Sequence, residues 1–219
     1  MSADKSLKIY QDYSLIQTTQ PNLSKQAEQY LFYKRVMDLV LAAIILLLAL
    51  PIIGIFAVLI VIETPGSPFY LQERVGRNGR HFKMIKLRSM LCNAESAGAK
   101  WAEANDPRIT KVGAFIRKTR IDELPQLVSV LKGDMSLIGP RPERPVFTRQ
   151  FAKEIRGFEK RLLVKPGLTG LAQVNGGYNL SPQEKLKYDL EYIQNLTFAL
   201  ELKILLKTCK VIVTGEGAR

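Results

Sequence analysis

Two adjacent carboxylates, Asp122 and Glu123, lie in a segment of the chain that is crowded with cations. Arg117 and Arg120 come shortly before the pair, and Arg141 follows in a second basic segment. A carboxylate pair can hold a divalent metal ion, and arginine guanidinium groups can bind the oxygens of a phosphate. The residue types therefore favour a site that handles an anionic, phosphorylated substrate.

The same carboxylates also have a plain structural interpretation. Asp122 and Glu123 open a predicted helix that runs to Lys132, with Pro125 in its first turn and Gly133 as its C-terminal stop. Carboxylates in a first helical turn are often present only because they interact favourably with the helix dipole. Spacing alone leaves the pair open between catalysis and capping.

Gly139-Pro140-Arg141-Pro142 is a stiff segment, because two prolines restrict the backbone around one arginine. A rigidly placed guanidinium is suited to bind a phosphate through two hydrogen bonds at once. A structural loop that exposes an arginine to solvent is the alternative.

The composition limits the classes of partner. The 219 residues carry a formal net charge of +12, which favours nucleic acid, phospholipid headgroups or phosphorylated substrates. Aromatic residues make up only 8% of the chain and no zinc-finger spacing is present, so we expect no nucleic acid among the partners. Cys92 and Cys209 form no CxxC pair, and the single histidine, His81, argues against a Ser-His-Asp scheme.

One apolar stretch, Leu39 to Ile62, is long enough to enter a bilayer. As a helix it would extend roughly 36 Å, against a hydrocarbon core of about 30 Å. Pro51 lies near its midpoint and would kink it, and each half alone would reach only about 16–18 Å. Asp38, at the start of the stretch, is interpreted as a carboxylate favoured by the helix dipole.

Basic residues flank both ends of this stretch: Lys34, Arg35, Arg74, Arg77 and Arg80. The positive-inside rule places basic flanks in the cytoplasm, and both flanks satisfy it if the chain dips into the membrane and returns. The pattern therefore predicts a re-entrant hairpin. A kinked full span and a buried soluble helix remain as alternatives.

The remaining segments predict a mostly helical protein with one small β-hairpin. Phe69 to Val75 and Arg80 to Leu87 form two basic strands that an Asn-Gly turn connects. The hairpin either carries solvated cations or faces phosphates. Ser89 to Asn105 is predicted to be helical, with Trp101 as an anchor in packing or at an interface.

Two more helices are predicted towards the C-terminus. Ser181-Pro182-Gln183-Glu184 is a capping box that starts the first of them. The second, Phe198 to Val213, is amphipathic, with Lys203, Lys207 and Lys210 on one face and apolar residues over a broad region. Such a helix lies in the membrane interface or faces the protein core.

Together these segments resemble the monotopic phosphoglycosyl transferases, also called bacterial sugar transferases, over roughly Tyr33 to Val213. The resemblance rests on the order and spacing of six motifs: Lys86-Leu87-Arg88-Ser89-Met90, the Asp122-Glu123 block, Gly139-Pro140-Arg141-Pro142, Lys165-Pro166-Gly167-Leu168-Thr169-Gly170, Ala172-Gln173-Val174-Asn175-Gly176 and Tyr188-Asp189-Leu190. It implies the compact form of the family, with a re-entrant membrane helix, a cytosolic catalytic domain and amphipathic helices at the membrane interface.

The family resemblance also implies a two-step reaction. Asp122 would attack the β-phosphate of a UDP-sugar and expel UMP, which leaves the phosphosugar on the carboxylate. A polyprenyl phosphate, expected to be undecaprenyl phosphate, would then accept the phosphosugar. Glu123 would bind the Mg²⁺ cofactor. This would be the first membrane step of a bacterial polysaccharide or glycoconjugate synthesis.

The motif positions imply six further substrate-binding residues: Lys86, Arg117, Arg141, Gln173, Asn175 and Asp189. The three cations match family residues that are expected near the phosphates. Asp189 matches a family carboxylate of the active-site region whose individual role stays open.

We therefore predict four segments: a polar arm over 1–30, a membrane-inserted helix broken at Pro51 over 31–64, a cytosolic catalytic domain over 65–195, and an amphipathic helix with its tail over 196–219. The expected location is the cytoplasmic face of the bacterial inner membrane, among its phospholipids. The sugar and the oligomeric state stay open, and a homodimer is one option. The alternative function is a non-catalytic membrane adaptor of a polysaccharide assembly complex.

Overall fold

A computed structural model of the protein describes residues 25–95, 98 and 106–214. This part of the chain is mostly helical, with one antiparallel β-hairpin and one short parallel strand pair. The helices are α1 (Lys25–Glu63), α2 (Lys111–Lys118), α3 (Leu127–Lys132), α4 (Pro145–Glu154), α5 (Leu171–Val174), α6 (Pro182–Gln194) and α7 (Phe198–Thr214). The strands are β1 (Phe69–Val75), β2 (His81–Leu87), β3 (Ser136–Ile138) and β4 (Gly167–Thr169).

Two of the predicted segments lie wholly or largely outside the described residues. The polar arm over 1–30 is described only from residue 25, where the backbone is already helical. Of the helix predicted over Ser89 to Asn105, the described residues form a β-bridge between Met90 and Ile109 followed by turns, and Trp101 lies outside the described ranges. The described start of that segment is therefore not helical.

The apolar stretch belongs to one continuous helix. α1 runs through Pro51, and its segment Gln29–Glu63 is the one helix in the described part of the chain that is long and apolar enough to cross a membrane. Proline removes one backbone donor, but the hydrogen bonds of the neighbouring turns hold the helix together. Pro51 therefore does not divide α1 into two helices.

One face of α1 packs against the rest of the protein and the other faces are exposed. Ala42, Ala49, Ile53 and Ile60 form the buried face and contribute to two hydrophobic clusters with later elements. The exposed faces carry large apolar side chains over the whole stretch, such as Ile62, which is 76% exposed. An apolar surface of this extent marks contact with lipid or with another apolar partner.

Asp38 does not stabilise a helix end, which corrects the interpretation made from the sequence. α1 begins at Lys25, so Asp38 lies in the helix interior, where it is only 5% exposed. Its carboxylate lies 3.6 Å from the Lys34 amine and accepts a hydrogen bond of 3.1 Å from the backbone amide of Leu137. Asp38 therefore connects α1 to β3.

The predicted hairpin is confirmed. β1 and β2 pair antiparallel from Phe69 opposite Leu87 to Val75 opposite His81. Asn78 adopts a left-handed backbone with a φ of 56°, as the Asn-Gly turn requires. Lys86 is the second-to-last residue of β2, and this end of the strand lies next to the segment that carries Asp122 and Glu123.

The glycine-rich motif forms a close backbone contact between β3 and β4. These strands pair in parallel, with Ser136 opposite Gly167 and Ile138 opposite Thr169. A Cβ atom on Gly167 would lie 2.1 Å from the backbone nitrogen of Gly139, which is far below any tolerated contact. Glycine is therefore required where the two motifs meet, and the contact fixes the loop that begins at Gly139.

The predicted C-terminal helices are confirmed, and α7 combines both interpretations of its pattern. The capping box that starts α6 is formed by Ser181 and Glu184. In α7, Ile204 is fully buried in the core, while Leu206 is 66% exposed. The helix therefore packs on the protein with one face and presents apolar side chains on another.

Candidate active site

The two carboxylates lie on a short 3-10 turn, Ile121–Gln126, which contacts β2, α1 and α2. The residue before this turn, Arg120, has a left-handed backbone with a φ of 60°, so the chain reverses sharply after α2. The exposed fractions of Asp122 and Glu123 are 5% and 7%. The predicted helix thus begins as a 3-10 turn, and its carboxylates are buried rather than solvated caps.

Glu123 is held by two cations from different parts of the chain. The Lys86 amine lies 2.9 Å from Oε1 of Glu123. The Arg141 guanidinium contacts both carboxylate oxygens, with a distance of 3.3 Å from Nη1 to Oε2. Burial alone would raise the pKa of Glu123, but Arg141 and Lys86 hold that pKa well below its usual range. Glu123 is therefore ionised at neutral pH.

Asp122 differs from its neighbour because no hydrogen bond or ion pair ends on its carboxylate within the described ranges. Burial raises the pKa of Asp122 to about 6, although Lys86, Arg117 and Arg141 each act to lower it. At pH 7 and above the group is still mostly ionised. The structure thus contains a buried, anionic carboxylate whose oxygens are not engaged by hydrogen bonds, which is the state that a nucleophile needs.

Arg117 approaches the pair from α2. Its Nη1 lies 3.5 Å from the Ser89 hydroxyl, and its charge acts on Asp122. α2 lies close to the Lys86-to-Met90 motif, because a Cβ atom on Gly113 would fall 2.0 Å from the Ser89 carbonyl oxygen. Three cations predicted from the motifs, Lys86, Arg117 and Arg141, therefore converge on the two carboxylates.

The donor set fits a Mg²⁺ ion that is bound together with a diphosphate. Mg²⁺ in phosphate sites commonly takes one or two protein carboxylates and completes its shell with water and substrate oxygens. Asp122 and Glu123 supply that number, and no group of three or more candidate metal ligands occurs in the described part of the chain. The family resemblance gives the ion to Glu123, whose carboxylate is ionised at neutral pH but would have to share its oxygens between the ion and the contacts from Lys86 and Arg141.

Asp189 does not meet the two carboxylates directly. It is 2% exposed and forms an ion pair with the buried Arg161, with distances of 2.9 Å from Nε and 2.7 Å from Nη2 to Oδ2. The same Nη2 donates a hydrogen bond of 2.9 Å to the backbone carbonyl of Arg141. Asp189 is therefore connected to the site through Arg161 and the Arg141 loop.

Gln173 and Asn175 make local contacts around α5. The Gln173 amide donates a hydrogen bond of 2.9 Å to the Leu168 carbonyl, and its buried Oε1 has no hydrogen-bond partner in the described residues. Asn175 accepts a hydrogen bond of 2.8 Å from Lys207 of α7 and borders a cavity of about 230 Å³ between α5, α6 and α7. These contacts place neither side chain in the cluster around Asp122 and Glu123.

One contributor to the site, Arg161, was missed in the sequence, and a second, Arg120, was noted only as part of the basic segment. Arg161 is 4% exposed, and no motif distinguished it from the many exposed basic residues. Arg120 lies beside the pair and lowers the pKa of Glu123, yet its left-handed backbone has no signature in the residue type. Arg120 lies two positions before Asp122, which placed it in the basic segment noted from the sequence but gave it no individual role.

Comparison with known proteins relates the chain to one protein family. A sequence profile described as bacterial sugar transferase matches residues 29–215. A Bacillus subtilis protein, provisionally named an undecaprenyl-phosphate N-acetylgalactosaminyl 1-phosphate transferase, is 57% identical over 162 residues, covering 74% of this chain and 90% of the relative.

Two longer relatives contain the same region. The UDP-N-acetylgalactosamine-undecaprenyl-phosphate N-acetylgalactosaminephosphotransferase of Aeromonas hydrophila is 48% identical over 87% of this chain and 46% of its own length. The UDP-galactose-lipid carrier transferase of Erwinia amylovora is 40% identical over 90% of this chain and 43% of its own length. This chain thus spans about half of each of these two relatives. The match over nearly all the described residues shows that the chain belongs to the bacterial sugar transferase family.

Proposed function

We propose that the protein transfers a sugar 1-phosphate from a UDP-sugar to a polyprenyl phosphate, the undecaprenyl phosphate of its relatives' names, and releases UMP. The observation that carries this proposal is the buried Asp122 carboxylate, which receives no hydrogen bond from the described residues, while Glu123 beside it is held by Lys86 and Arg141. A site of this kind in a bacterial sugar transferase offers a nucleophile next to cations that attract a diphosphate.

In the first step, an oxygen of Asp122 attacks the β-phosphorus of the UDP-sugar. The bond between this phosphorus and the bridging oxygen breaks, and UMP leaves with the electron pair. The phosphosugar remains on Asp122 as an acyl phosphate. A carboxylate nucleophile of this type divides one difficult displacement between two anions into two easier steps.

The cations around Asp122 reduce the repulsion between the carboxylate and the diphosphate. Lys86 and Arg141 reach the carboxylate pair from β2 and from the loop after β3, and Arg117 adds positive charge from α2. Groups fixed in a buried site stabilise developing charge more effectively than solvent does. Mg²⁺, held by Glu123, would supply further neutralisation of the phosphate oxygens.

In the second step, a phosphate oxygen of the polyprenyl phosphate attacks the same phosphorus. The bond to Asp122 breaks, the carboxylate is regenerated, and the product is a polyprenyl diphosphate sugar. The acceptor carries its only reactive group at the membrane surface. The site must therefore lie at the level of the lipid headgroups.

We propose that the site lies on the cytoplasmic face of the membrane and that α1 is re-entrant; the contacts at the two ends of α1 support the second part of this proposal. Near the start of the apolar stretch, Arg35 donates a hydrogen bond of 2.6 Å to the Val130 carbonyl in α3. At its end, Glu63 accepts a hydrogen bond of 2.7 Å from the backbone amide of Lys111 in α2. Both flanks of α1 contact the same part of the protein, which supports a position of both flanks on one side of the bilayer. This arrangement requires the continuous helix to bend at Pro51.

The sugar is proposed from the relatives' names. The Bacillus subtilis and Aeromonas hydrophila relatives are both named for N-acetylgalactosamine, so UDP-N-acetylgalactosamine is the first donor to test. UDP-galactose and UDP-glucose are the comparison donors in the same panel. UDP-galactose differs from UDP-N-acetylgalactosamine only at the 2-position, and UDP-glucose differs at the 2-position and in the stereochemistry of the 4-position.

The test measures UMP release by membranes that contain the full chain, with Mg²⁺, undecaprenyl phosphate and each UDP-sugar in turn. Wild-type protein is expected to release UMP, and Asp122→Asn is expected to lower the rate by at least about 10³-fold, because the amide cannot act as the nucleophile. Asp134→Asn is the matched control: Asp134 is exposed, and its substitution should change the rate less than twofold.

UMP release that survives Asp122→Asn would overturn the proposed nucleophile. If wild-type protein released no UMP from any donor in the panel, the proposed activity itself would fail. Only that second outcome would favour the alternative function, a non-catalytic membrane adaptor, which the family assignment does not support. Chelation of Mg²⁺ in the same assay tests the cofactor, and an unchanged rate after chelation would contradict it.

A further inference from the structure

The loop that carries Arg141 is held by its backbone. Four consecutive carbonyl oxygens each accept a hydrogen bond from another segment: Pro140 from the Gly167 amide at 2.9 Å, Arg141 from Arg161 Nη2 at 2.9 Å, Pro142 from Arg74 Nη1 at 2.7 Å, and Glu143 from the Val75 amide at 3.0 Å. Two of these donors are backbone amides of the flanking strands, and two are arginine side chains. The loop therefore has a single well-defined path.

Arg161 is the more buried of the two arginine donors. Its side chain is 4% exposed, and it pairs with the Asp189 carboxylate through both Nε and Nη2. The guanidinium also lies 4.9 Å from the centre of the Phe158 ring and 3.9 Å from Oε1 of Glu143. A buried guanidinium with this many fixed contacts cannot swing away from the carbonyl to which it donates.

We propose that Arg161 and Asp189 are positioning residues that orient Arg141 towards Glu123 and the substrate phosphates. This inference rests on the proposed function, because it concerns the same site. Asp189 fixes the orientation of the Arg161 guanidinium, and Arg161 fixes the carbonyl of Arg141. With its backbone fixed, the Arg141 side chain starts from one position, from which it reaches the Glu123 carboxylate.

This role explains why a buried ion pair lies behind the site. Two charges taken out of water contribute little net stability, and a well-packed apolar pair of similar volume is often as good. An arginine is needed here because its planar guanidinium can bind the Asp189 carboxylate through Nε and Nη2 and also donate from Nη2 to the Arg141 carbonyl. A misplacement of a phosphate-binding group by about 1 Å can lower a rate by about 10²-fold.

A double-mutant cycle between Arg161 and Arg141 tests the inference in the UMP-release assay. Arg161→Gln is expected to lower kcat/KM by about 10- to 100-fold. In a background that already carries Arg141→Ala, the same Arg161→Gln change is expected to lower kcat/KM less than about twofold, because its effect acts through the missing side chain. A purely structural role of Arg161 would give the same factor in both backgrounds.

A second variant covers the case in which Arg161→Gln fails to fold because Asp189 is left buried without a partner. The double substitution Arg161→Met with Asp189→Leu removes both charges and keeps an apolar volume in the same place. This double variant is expected to fold, with a thermal midpoint close to that of the wild type. Its kcat/KM is expected to fall by about 10- to 100-fold, as for Arg161→Gln.

Arg108→Gln is the matched control. Arg108 forms a similar two-point ion pair with Asp106, at 2.8 Å from Nε to Oδ1 and 2.6 Å from Nη2 to Oδ2. Breaking this pair is expected to lower the thermal midpoint while kcat/KM changes less than about twofold. The comparison separates loss of stability from loss of positioning.

The outcomes separate this inference from the function on which it rests. If the wild-type protein releases no UMP, the proposed function fails and the positioning role falls with it. If the wild type is active, equal factors in the two backgrounds would overturn the positioning role alone. Wild-type kcat/KM in a folded Arg161→Met, Asp189→Leu variant would overturn it as well.

Discussion

The two neighbouring carboxylates respond oppositely to the same burial. Each loses most of its contact with water, which raises a carboxyl pKa. Both Glu123 oxygens contact Lys86 or Arg141, and the pKa of Glu123 therefore falls well below its usual range. Asp122 receives charge from these cations only through space, so burial prevails and raises its pKa to about 6. The difference supports the proposal that Asp122 is the reactive carboxylate and that Glu123 is held in place by cations.

The raised pKa of Asp122 predicts an acid limit of the reaction. The attacking form is the carboxylate, so the rate of UMP release should stay constant above about pH 7 and fall about tenfold per unit once the pH is well below 6. The measurement is kcat/KM for the UDP-sugar between pH 5 and pH 8.5, which reports the pKa of the essential group in the free enzyme. A midpoint near 4, the ordinary value for an aspartate, would contradict the assignment.

The acid limit must be distinguished from unfolding. A folded-state pKa above the unfolded value means that the folded protein binds the proton more tightly, so protonation of Asp122 favours the folded state as the pH falls through 6. Glu123 acts in the opposite direction, but its contribution is lost only below its ordinary value of 4.5. With respect to these two groups, the thermal midpoint should therefore not fall between pH 7 and pH 5.

At the residue scale, the motifs predicted the charged cluster well and its support poorly. Lys86, Arg117 and Arg141 could be predicted as site residues because each lies within, or a few positions from, a recognisable sequence motif. Arg161 could not, since its partner Asp189 lies 28 positions away and only the fold shows that both are buried. Asp38 was misinterpreted because the start of α1 could not be located in a polar segment.

At the scale of elements, the parallel pair of β3 and β4 connects the fold to the site. Gly139 and Gly167 meet backbone to backbone, and the loop with Arg141 begins at this point. The hairpin and the helix caps were predictable because short-range residue pairs determine them. The β3–β4 pair was not, because each strand has only three residues and its partner is distant in the chain.

The close contact predicts that Gly167→Ala damages the fold and the activity together. The added Cβ atom would meet the Gly139 nitrogen at 2.1 Å, so the strands must separate and the Arg141 loop must shift. We expect a loss of about 1–3 kcal/mol in unfolding free energy, measured by thermal or denaturant unfolding in detergent, and at least a tenfold loss of UMP release.

Gly54→Ala is the matched control for that change. Gly54 lies in α1, and a Cβ atom there would meet no atom within 4 Å. Alanine also favours a helix over glycine by about 1 kcal/mol. This variant should therefore unfold at the wild-type midpoint or above it. Equal damage by the two substitutions would show that the β3–β4 contact is not the cause.

At the scale of the whole molecule, α1 is bound along its length rather than attached at one end. Arg35 and Glu63 fix its two flanks to α3 and α2, and the buried face between them contributes to the hydrophobic clusters. The length and composition of the stretch could be read from the chain. Its course relative to the other elements could not, because that course depends on contacts with residues far along the sequence.

These contacts predict that both flanks of α1 can be labelled from one side of the membrane. Phe32→Cys and Ser67→Cys place single thiols at exposed positions on either flank, in a background without Cys92 and Cys209. A membrane-impermeant maleimide should modify both from the cytoplasmic side only. A third protein that retains exposed Cys209 alone reports the side of α7. Labelling of the two flanks from opposite sides would rule out the re-entrant arrangement.

The hydrogen bond from Leu137 to Asp38 bears on how the protein can be produced. Asp38 and the fully buried Ala42 lie against β3 and α3, so α1 completes the globular part and also carries the exposed apolar surface. Deleting α1 to obtain a water-soluble fragment would remove a wall of that core and leave the β3 amide without its acceptor. Biochemical work on this enzyme therefore has to retain α1 and supply detergent or lipid around it.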